Sequence, residues 1–273
     1  MQYAKIPPPD YLKDYVRFFW TLEHHGTGAV PPRTFRTIPD GCPGLIFQQP
    51  ADGGLQYENH DKLPDIFLYG QATRPRILHS SGNFGSIGVF FYPNAVKSIF
   101  GLNSYEITDD CIDVVAFSNK QGATLYAQIT DARSTTEQIE ILSAYLFSCI
   151  LANKAVADPG MQHAVSQIIQ TRGSISLKFL QEQLFLTERS FERKFKQWVG
   201  VSPKLFARIC RFQSSLHQLK QNDFSKLSDI AYEHDYADHS HYIRAFKEFA
   251  GSSPNQFQKK SNEIVDNLTE VLG

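Results

Sequence analysis

A sixteen-residue pattern occurs twice in the last third of the chain, 51 residues apart, and it narrows the possible folds sharply. The first copy reads Phe191-x-Arg193-x-Phe195-Lys196-x-x-x-Gly200-x-Ser202-Pro203-x-x-Phe206. The second reads Tyr242-x-Arg244-x-Phe246-Lys247-x-x-x-Gly251-x-Ser253-Pro254-x-x-Phe257. Aromatic residues three or four apart form the buried stripe of a helix. Glycine supplies the left-handed residue that ends it, and Ser-Pro restarts the next helix as N-cap and first turn. The repeat therefore encodes two copies of one helical unit, each with basic residues on its exposed face. Such a device suits a partner that itself repeats, and duplex DNA has the right period.

The 273 residues suffice for two domains with separate cores. Charge divides along the same line. Residues 1–160 hold 12 Lys+Arg against 16 Asp+Glu, whereas residues 161–260 hold 15 against 9, so the basic part carries the repeat. No signal-peptide pattern and no apolar run of membrane-spanning length is seen. The four cysteines (Cys42, Cys111, Cys149, Cys210) contain no CxxC pair, which favours buried thiols in a reducing, cytoplasmic setting over a zinc site.

Residues 11–92 read as short strands separated by turns. Val16, Phe18, Trp20 and Leu22 alternate with Arg17, Phe19, Thr21 and Glu23, the pattern of a half-buried strand. Pro39-Asp40-Gly41, Asp52-Gly53-Gly54 and Ser80-Ser81-Gly82-Asn83 separate the apolar runs Leu45–Phe47, Ile66–Tyr69 and Ile87–Tyr92. This texture predicts a small β-barrel or sandwich. Helices follow, over Asn94–Phe100 with a stop at Gly101, and over Ser134–Ala152 with an apolar stripe. Ala152–Gly160 is the expected boundary between a β-rich domain, 1–155, and an all-α domain, 160–262, giving an α+β chain of two domains.

In the second domain helices are expected over Met161–Thr171, Ser176–Leu184, Thr187–Val199 and Pro203–Lys220. A further pair starts near Lys226, and a last helix starts at Ser253-Pro254. Opposite the stripe of Phe191, Phe195 and Trp198 lie Arg189, Glu192, Arg193 and Lys196. Arginines one turn apart suit guanine edges or phosphates; Glu192 accepts from cytosine or pairs with Arg189 or Lys196. The second copy presents His239, Ser240, His241, Arg244 and Lys247. Lys204, Arg208 and Arg211 on the connecting helix add charge for phosphate contact or solubility. Two helices so joined would enter successive major-groove segments.

These residues carry a resemblance. Gly200-Val201-Ser202-Pro203 within Phe191–Phe206, and Asp229-Ile230-Ala231 through Ser240-His241-Tyr242-x-Arg244-Ala245-Phe246-Lys247, resemble the DNA-binding domain of AraC/XylS transcription regulators. The resemblance implies two helix-turn-helix units joined by a long helix. Many members have glycine in each turn where this chain has Phe185 and Asp235. Phenylalanine is costly in a left-handed conformation, so the first turn is expected to be shaped differently. Acidic Glu233, Asp235 and Asp238 flank the second helix, so the first unit is expected to dominate affinity.

Phe18-Phe19-Trp20, Ile38-Pro39-Asp40-Gly41-Cys42, Tyr69-Gly70-Gln71 and Gly88-Val89-Phe90-Phe91-Tyr92-Pro93 resemble sensor-like N-terminal domains of AraC-type regulators. That implies effector binding, dimerisation, or both. An effector pocket is expected near Trp20, Arg36, Phe47 and Phe90, with Arg33 or Arg36 as an anion anchor. No metal or cofactor is expected. His24 and His25 point to opposite strand faces, His60 and His79 complete no ligand set, and Gly82-x-x-Gly85-x-x-Gly88 lacks the helix of a nucleotide loop. No catalytic constellation is seen, and an enzyme is not expected. The reading is a sequence-specific regulator that binds promoter DNA under effector control, with RNA polymerase and a second copy as further candidate partners and no membrane. The rivals are a constitutive regulator whose first domain only dimerises, and, more remotely, a barrel-type small-molecule enzyme.

Overall fold

The computed structural model describes residues 2–24, 33–50, 54–57, 61–80, 83–118, 120–153, 157–260 and 266–267. Asp52, Gly53, Ser81, Gly82, His25 and His60, named above, lie outside this set, as do residues 154–156 of the expected boundary and the side chains of His24 and Arg33.

The chain begins with eight strands: β1 (Gln2–Ile6), β2 (Val16–His24), β3 (Arg33–Thr37), β4 (Gly44–Pro50), β5 (Leu55–Tyr57), β6 (Ile66–Tyr69), β7 (Arg76–Ser80) and β8 (Phe84–Phe91). Helix α1 (Ala95–Phe100), a 3-10 turn at Ser104–Ile107 and strand β9 (Cys111–Asp113) follow. Then come α2 (Val114–Ser118), α3 (Lys120–Asp131) and α4 (Thr135–Ala152). The helical domain comprises α5 (Pro159–Gln170), α6 (Leu177–Gln183), α7 (Glu188–Val199), α8 (Pro203–Gln221), α9 (Leu227–Glu233), α10 (His239–Ala250) and α11 (Pro254–Lys260). A two-residue strand, β10 (Asp266–Asn267), pairs in parallel with β3.

Among the described residues the strands form two sheets, in the orders β1-β2-β8-β4-β6-β9 and β10-β3-β7-β5. They pack as a sandwich with no closed barrel, the second of the two forms that the turn-rich texture predicts. The six-stranded sheet is covered on both faces. Phe19, Leu45, Phe47, Ile66, Leu68, Ile87, Val89 and Phe91 pack on α1, α3 and α4. Trp20, Leu22, Ile46, Phe67 and Phe90 point instead toward Phe35, Leu55 and Leu78 of the smaller sheet.

This arrangement corrects the half-buried reading of β2. A register shift against β8 between Val16 and Phe18 moves Val16 onto the helix-covered face beside Phe19, while Phe18, Trp20 and Leu22 take the other. Both faces are buried from Phe19 to Leu22, Thr21 included. Alternation of polarity cannot distinguish a strand with one dry face from one between two layers when the second face holds Phe and Thr.

At the centre of the sandwich Trp20 pairs with Gly88 across β2 and β8. A Cβ on Gly88 would fall inside the Trp20 indole, meeting Cε2, Cζ2 and Nε1. Here the glycine is needed for close approach and not for a turn. Gly88→Ala should therefore destabilise the protein by about 1–3 kcal/mol, the cost of overpacking a filled core. Chemical denaturation followed by Trp fluorescence would measure it; an unchanged midpoint would mean that the indole has room to move aside.

The helical domain holds two further cores. Met161, Ile168, Leu180, Phe191, Phe195, Trp198 and Phe206 form the first. Ile209, Phe212, Ile230, Tyr242, Phe246, Phe249 and Phe257 form the second, which also takes Ile38 from the N-terminal domain. Ser134, Ser176, Thr187, Ser202 and Asp238 each accept a backbone N–H at a helix start. Gly101, Gly200 and Gly251 end their helices in the left-handed region. Ser253 and Gln256 form the expected capping box. One start differs. α5 begins at Pro159, capped by Asp158, inside the stretch expected to be a linker.

Candidate nucleic-acid interface

Each repeat unit is a short helix, a turn and a longer helix: α6 with α7, and α9 with α10. In α7 the fully buried Phe191 and Phe195 fix the inner face, so Arg189, Glu192, Arg193 and Lys196 stand exposed on the other. Glu192 pairs with Lys196 at 3.2 Å, one turn along, an exposed bridge worth about 0.3–0.5 kcal/mol. Among the described residues Arg189 and Arg193 have no hydrogen-bond or ion-pair partner, which leaves both guanidinium groups free for an external acceptor. The neighbouring Lys194 is occupied, bridging to the α5 cap Asp158.

In α10, Tyr242, Phe246 and Phe249 are buried, while His239, Ser240, Arg244 and Lys247 are exposed and His241 is half-buried. The His241 ring stands edge-on to Tyr236, and its Nδ1 lies 3.3 Å from the Ala237 amide. A backbone N–H can only donate, so Nδ1 accepts and the ring N–H is on Nε2. Glu248 is engaged by Arg208.

The connecting helix α8 has 19 residues and a length of about 28 Å. Two of its cations are structural. Arg208 pairs with Glu248 and stacks over Phe249 at 5.2 Å. Arg211 donates to the carbonyls of Gly173 and Asp235, at 3.1 and 3.3 Å, tying a turn of each half to the connector. Only Lys204 of the three is an exposed cation with no partner among the described residues.

The first turn departs from expectation. Phe185 has φ 53° and Asp235 φ 53°, so both occupy the left-handed region. Paired bonds close each turn: Phe185 N to Glu182 O with Leu186 N to Gln181 O, and Asp235 N to Tyr232 O with Tyr236 N to Ala231 O. Phe185 is thus shaped like the residue it replaces, because packing of α6 on α7 sets the turn and overrides local preference. Its ring is 96% exposed and recovers none of the strain by burial.

The carbonyl ends of α7 and α10 rest on the N-terminal domain. Ser104 Oγ donates to Trp198 O at 2.7 Å, and Thr108 Oγ1 donates to Gly200 O at 2.9 Å. Lys97 lies 5.8 Å from the Trp198 ring. At the equivalent end of α10, Arg36 donates to Ala250 O at 3.4 Å, and Gly251 faces Pro75. Gln213 of α8 donates to Pro39 O. The exposed cations Arg189, Arg193 and Arg244 belong to the other ends and faces of these helices.

Between the two sheets lies a cavity of about 110 Å³, lined chiefly by Ile46, Tyr57, Leu63, Phe67, Leu78 and Phe90. Asp40, Cys42, Gln71, Arg76, Asp109 and Asp110 supply its polar wall. Of the residues expected around an effector, Phe90 lines this cavity. Trp20 sits in the same inter-sheet core without lining it, Phe47 packs on the helices, and Arg36 serves the domain contact. Gln71, Asp40 and Cys42 belong to segments that the sensor-like resemblance marks, although nothing in their spacing indicates a cavity wall.

Around the cavity burial dominates ionisation. It pushes the Cys42 thiol up to about 11 against the opposing effect of Arg17, whose Nη1 lies 3.0 Å from Sγ. Cys210 is pushed up to about 12. Both thiols are therefore protonated and unreactive at neutral pH. Burial also pushes the Asp40 carboxyl up to about 6.

Residues 4–113 match a family model described as a domain of unknown function (DUF6597), and residues 180–260 match one described as a helix-turn-helix domain. An uncharacterized HTH-type transcriptional regulator of Haemophilus influenzae is 32% identical over 106 residues, 38% of this chain; the match spans 35% of that relative's length. Among solved structures, ToxT from Vibrio cholerae bound to (E)-4-(8-methylnaphthalen-1-yl)but-3-enoic acid is similar over 88% of this chain and 97% of its own, at 14% identity and TM-score 0.46. The xylose-binding transcription activator XylR covers 46% of this chain and 39% of its own, at 13% identity and TM-score 0.33.

Two stability measurements follow from this geometry. Phe185→Gly should raise stability by about 0.5–1 kcal/mol, the left-handed strain relieved less the entropy glycine adds to the unfolded chain. A fall in denaturation midpoint would show that the ring is engaged after all. For Asp40 the folded value lies above the usual carboxylate range, so the unfolded chain ionises first as pH rises. The group's contribution is complete below about pH 4, is lost between about 4 and 6, and stays lost above. Asp40→Asn keeps an acceptor for the Cys42 amide. It should raise the melting temperature at pH 7 and flatten its pH dependence between 4 and 6; an identical pH profile would count against the buried charge.

Proposed function

We propose that this protein, whose residues 180–260 match a helix-turn-helix domain, is a cytoplasmic, sequence-specific DNA-binding transcription regulator of the AraC/XylS type under small-molecule control. The observation that carries the reading is the pair of equivalent helices, each exposing cations on one face while the other domain holds its carbonyl end. Helix α7 contributes Arg189, Arg193 and Lys196, with Glu192 poised to exchange its lysine partner for a base amino group. Helix α10 contributes His239, Ser240, His241, Arg244 and Lys247. The connector α8 sets their separation, and its arginines hold the two units together more than they reach for phosphate.

Effector control draws support from the inter-sheet cavity. Its wall includes Gln71, whose Cγ lies 3.3 Å from where a Gly200 side chain would begin, and Ile38, which is packed in the second helical core. A ligand there would press on contacts to both helix-turn-helix units. A second reading, in which the N-terminal domain only pairs two copies, draws on α4. Its outer face exposes Ala144, Phe147 and Leu151, with no charged residue from Ile141 to Asn153.

Arg193→Ala should weaken binding to a selected DNA site by about 1–3 kcal/mol and relax preference at one base pair. Affinity of the unsubstituted protein should fall steeply with salt. Selection from a random duplex pool, followed by titration at two salt concentrations, measures both. A specific complex indifferent to the substitution and to salt would remove α7 from the interface.

A further inference from the structure

We propose that Phe185 makes a specificity contact with DNA: its ring, held out from the turn before α7, packs on the C5-methyl group of a thymine in the major groove that α7 enters. The inference rests on the DNA-binding reading of α7 above and adds an apolar base contact that the basic face does not supply.

The ring is 96% exposed, more than any other large apolar side chain among the described residues. Its backbone is nonetheless held firmly. Phe185 N donates to Glu182 O at 3.2 Å and Leu186 N to Gln181 O at 3.0 Å, which closes the turn around the residue. The neighbours Leu184 and Leu186 pack on the first helical core, so Phe185 alone of the three points to solvent.

The turn itself does not call for phenylalanine. Asp235 takes the same place in the second unit with the same φ of 53°, and aspartate enters the left-handed region at lower cost. Glycine would enter it freely. Phe185 bears the strain and its ring is buried nowhere in the chain. Stabilisation that is missing within the chain is available from a partner.

Position and surroundings identify that partner. Phe185 lies two residues before the cap Thr187, at the end of α7 that in a helix-turn-helix reaches base edges. The exposed residues nearest in sequence are Glu182, Gln183, Thr187, Glu188 and Arg189, so the ring is a single apolar point on a polar surface. Phe179, the exposed aromatic of α6, lies toward the start of that helix. A protein interface buries a contiguous apolar core inside a polar rim, which this surface lacks. The major groove, by contrast, presents isolated apolar points, the thymine methyls, among polar base edges. Glu182 and Glu188 beside the ring repel phosphate, which favours a base over the backbone as the group it meets.

The test uses the full chain and a duplex selected from a random pool, with each thymine of the site replaced in turn by deoxyuridine, which lacks only the methyl. One replacement in the α7 half-site should weaken binding of the unsubstituted protein about threefold to fourfold, the worth of one buried methyl, and should have no effect on Phe185→Gly. Phe185→Gly itself should weaken binding about tenfold without a fall in its denaturation midpoint. The slope of log affinity against log salt should stay the same, because an apolar contact releases no counterion. Phe185→Leu keeps an apolar group at the position, should retain part of the deoxyuridine effect, and serves if the glycine loosens the turn. Deoxyuridine effects equal in the unsubstituted protein and Phe185→Gly, or Phe185→Gly binding at full strength, overturn the proposal. So does a loss in Phe185→Gly with no deoxyuridine effect, which would place the ring on the sugar-phosphate backbone. In each of these cases α7 stays in the interface if Arg193→Ala still weakens binding. Indifference to both Arg193→Ala and Phe185→Gly removes the reading of α7 itself.

Discussion

A helix leaves its last carbonyls without intrahelical partners, and in this protein α7 and α10 draw several of theirs from another domain. Within each helix the glycine cap satisfies one group, Gly200 N bonding Lys196 O and Gly251 N bonding Lys247 O. The carbonyls of Trp198, Gly200 and Ala250 go to Ser104, Thr108 and Arg36. The orientation of each reading face is thereby tied to loops and a strand of the β-sandwich. Three bonds of about 1 kcal/mol each amount to the 1–3 kcal/mol by which coupled sites usually influence one another. Nothing larger is needed for one domain to bias the other.

Much of the helical domain was legible because its information is local. A cap needs one side chain at one position, and Thr187, Ser202, Asp238, Gly200 and Gly251 all serve where their types suggest. The aromatic stripes were legible for the same reason, since their spacing alone defines a face. Phe185 marks where local reasoning ends. Its type argues against the left-handed turn it adopts, and the packing of Leu180 with Phe191 and Phe195 outweighs that preference. The start of α5 was missed for a related reason. Asp158 looked like part of a linker, yet it both caps Met161 and receives Lys194 from a helix more than thirty residues away.

Roles that depend on partners distant in sequence stayed hidden. Arg208 and Arg211 read as surface charge because Glu248 and the Gly173 and Asp235 carbonyls meet them only in the folded domain. The aromatic wealth of the first domain announced a core, but not that the central sheet divides it into two. Phe47 and Phe90 are both buried, and only the register of β4 and β8 sends one to the helices and the other to the cavity. Gln71 gave no signal beyond its place beside Tyr69 and Gly70.

The two units also differ in a way that bears on how they divide the reading of DNA. Two residues lead from Phe185 to the cap Thr187, but three lead from Asp235 to the cap Asp238. The added residue, Ala237, supplies the amide that His241 Nδ1 accepts. The second helix thus begins with an acidic cap and short polar side chains, whereas the first offers two guanidinium groups unpaired among the described residues. Cations attract phosphate at long range with little regard to sequence. A fixed neutral donor gains only where an acceptor such as guanine O6 or thymine O4 lies opposite. Under the proposed reading, attraction to the duplex would fall mainly to α7, and discrimination at the adjoining half-site to the His-Ser-His start of α10.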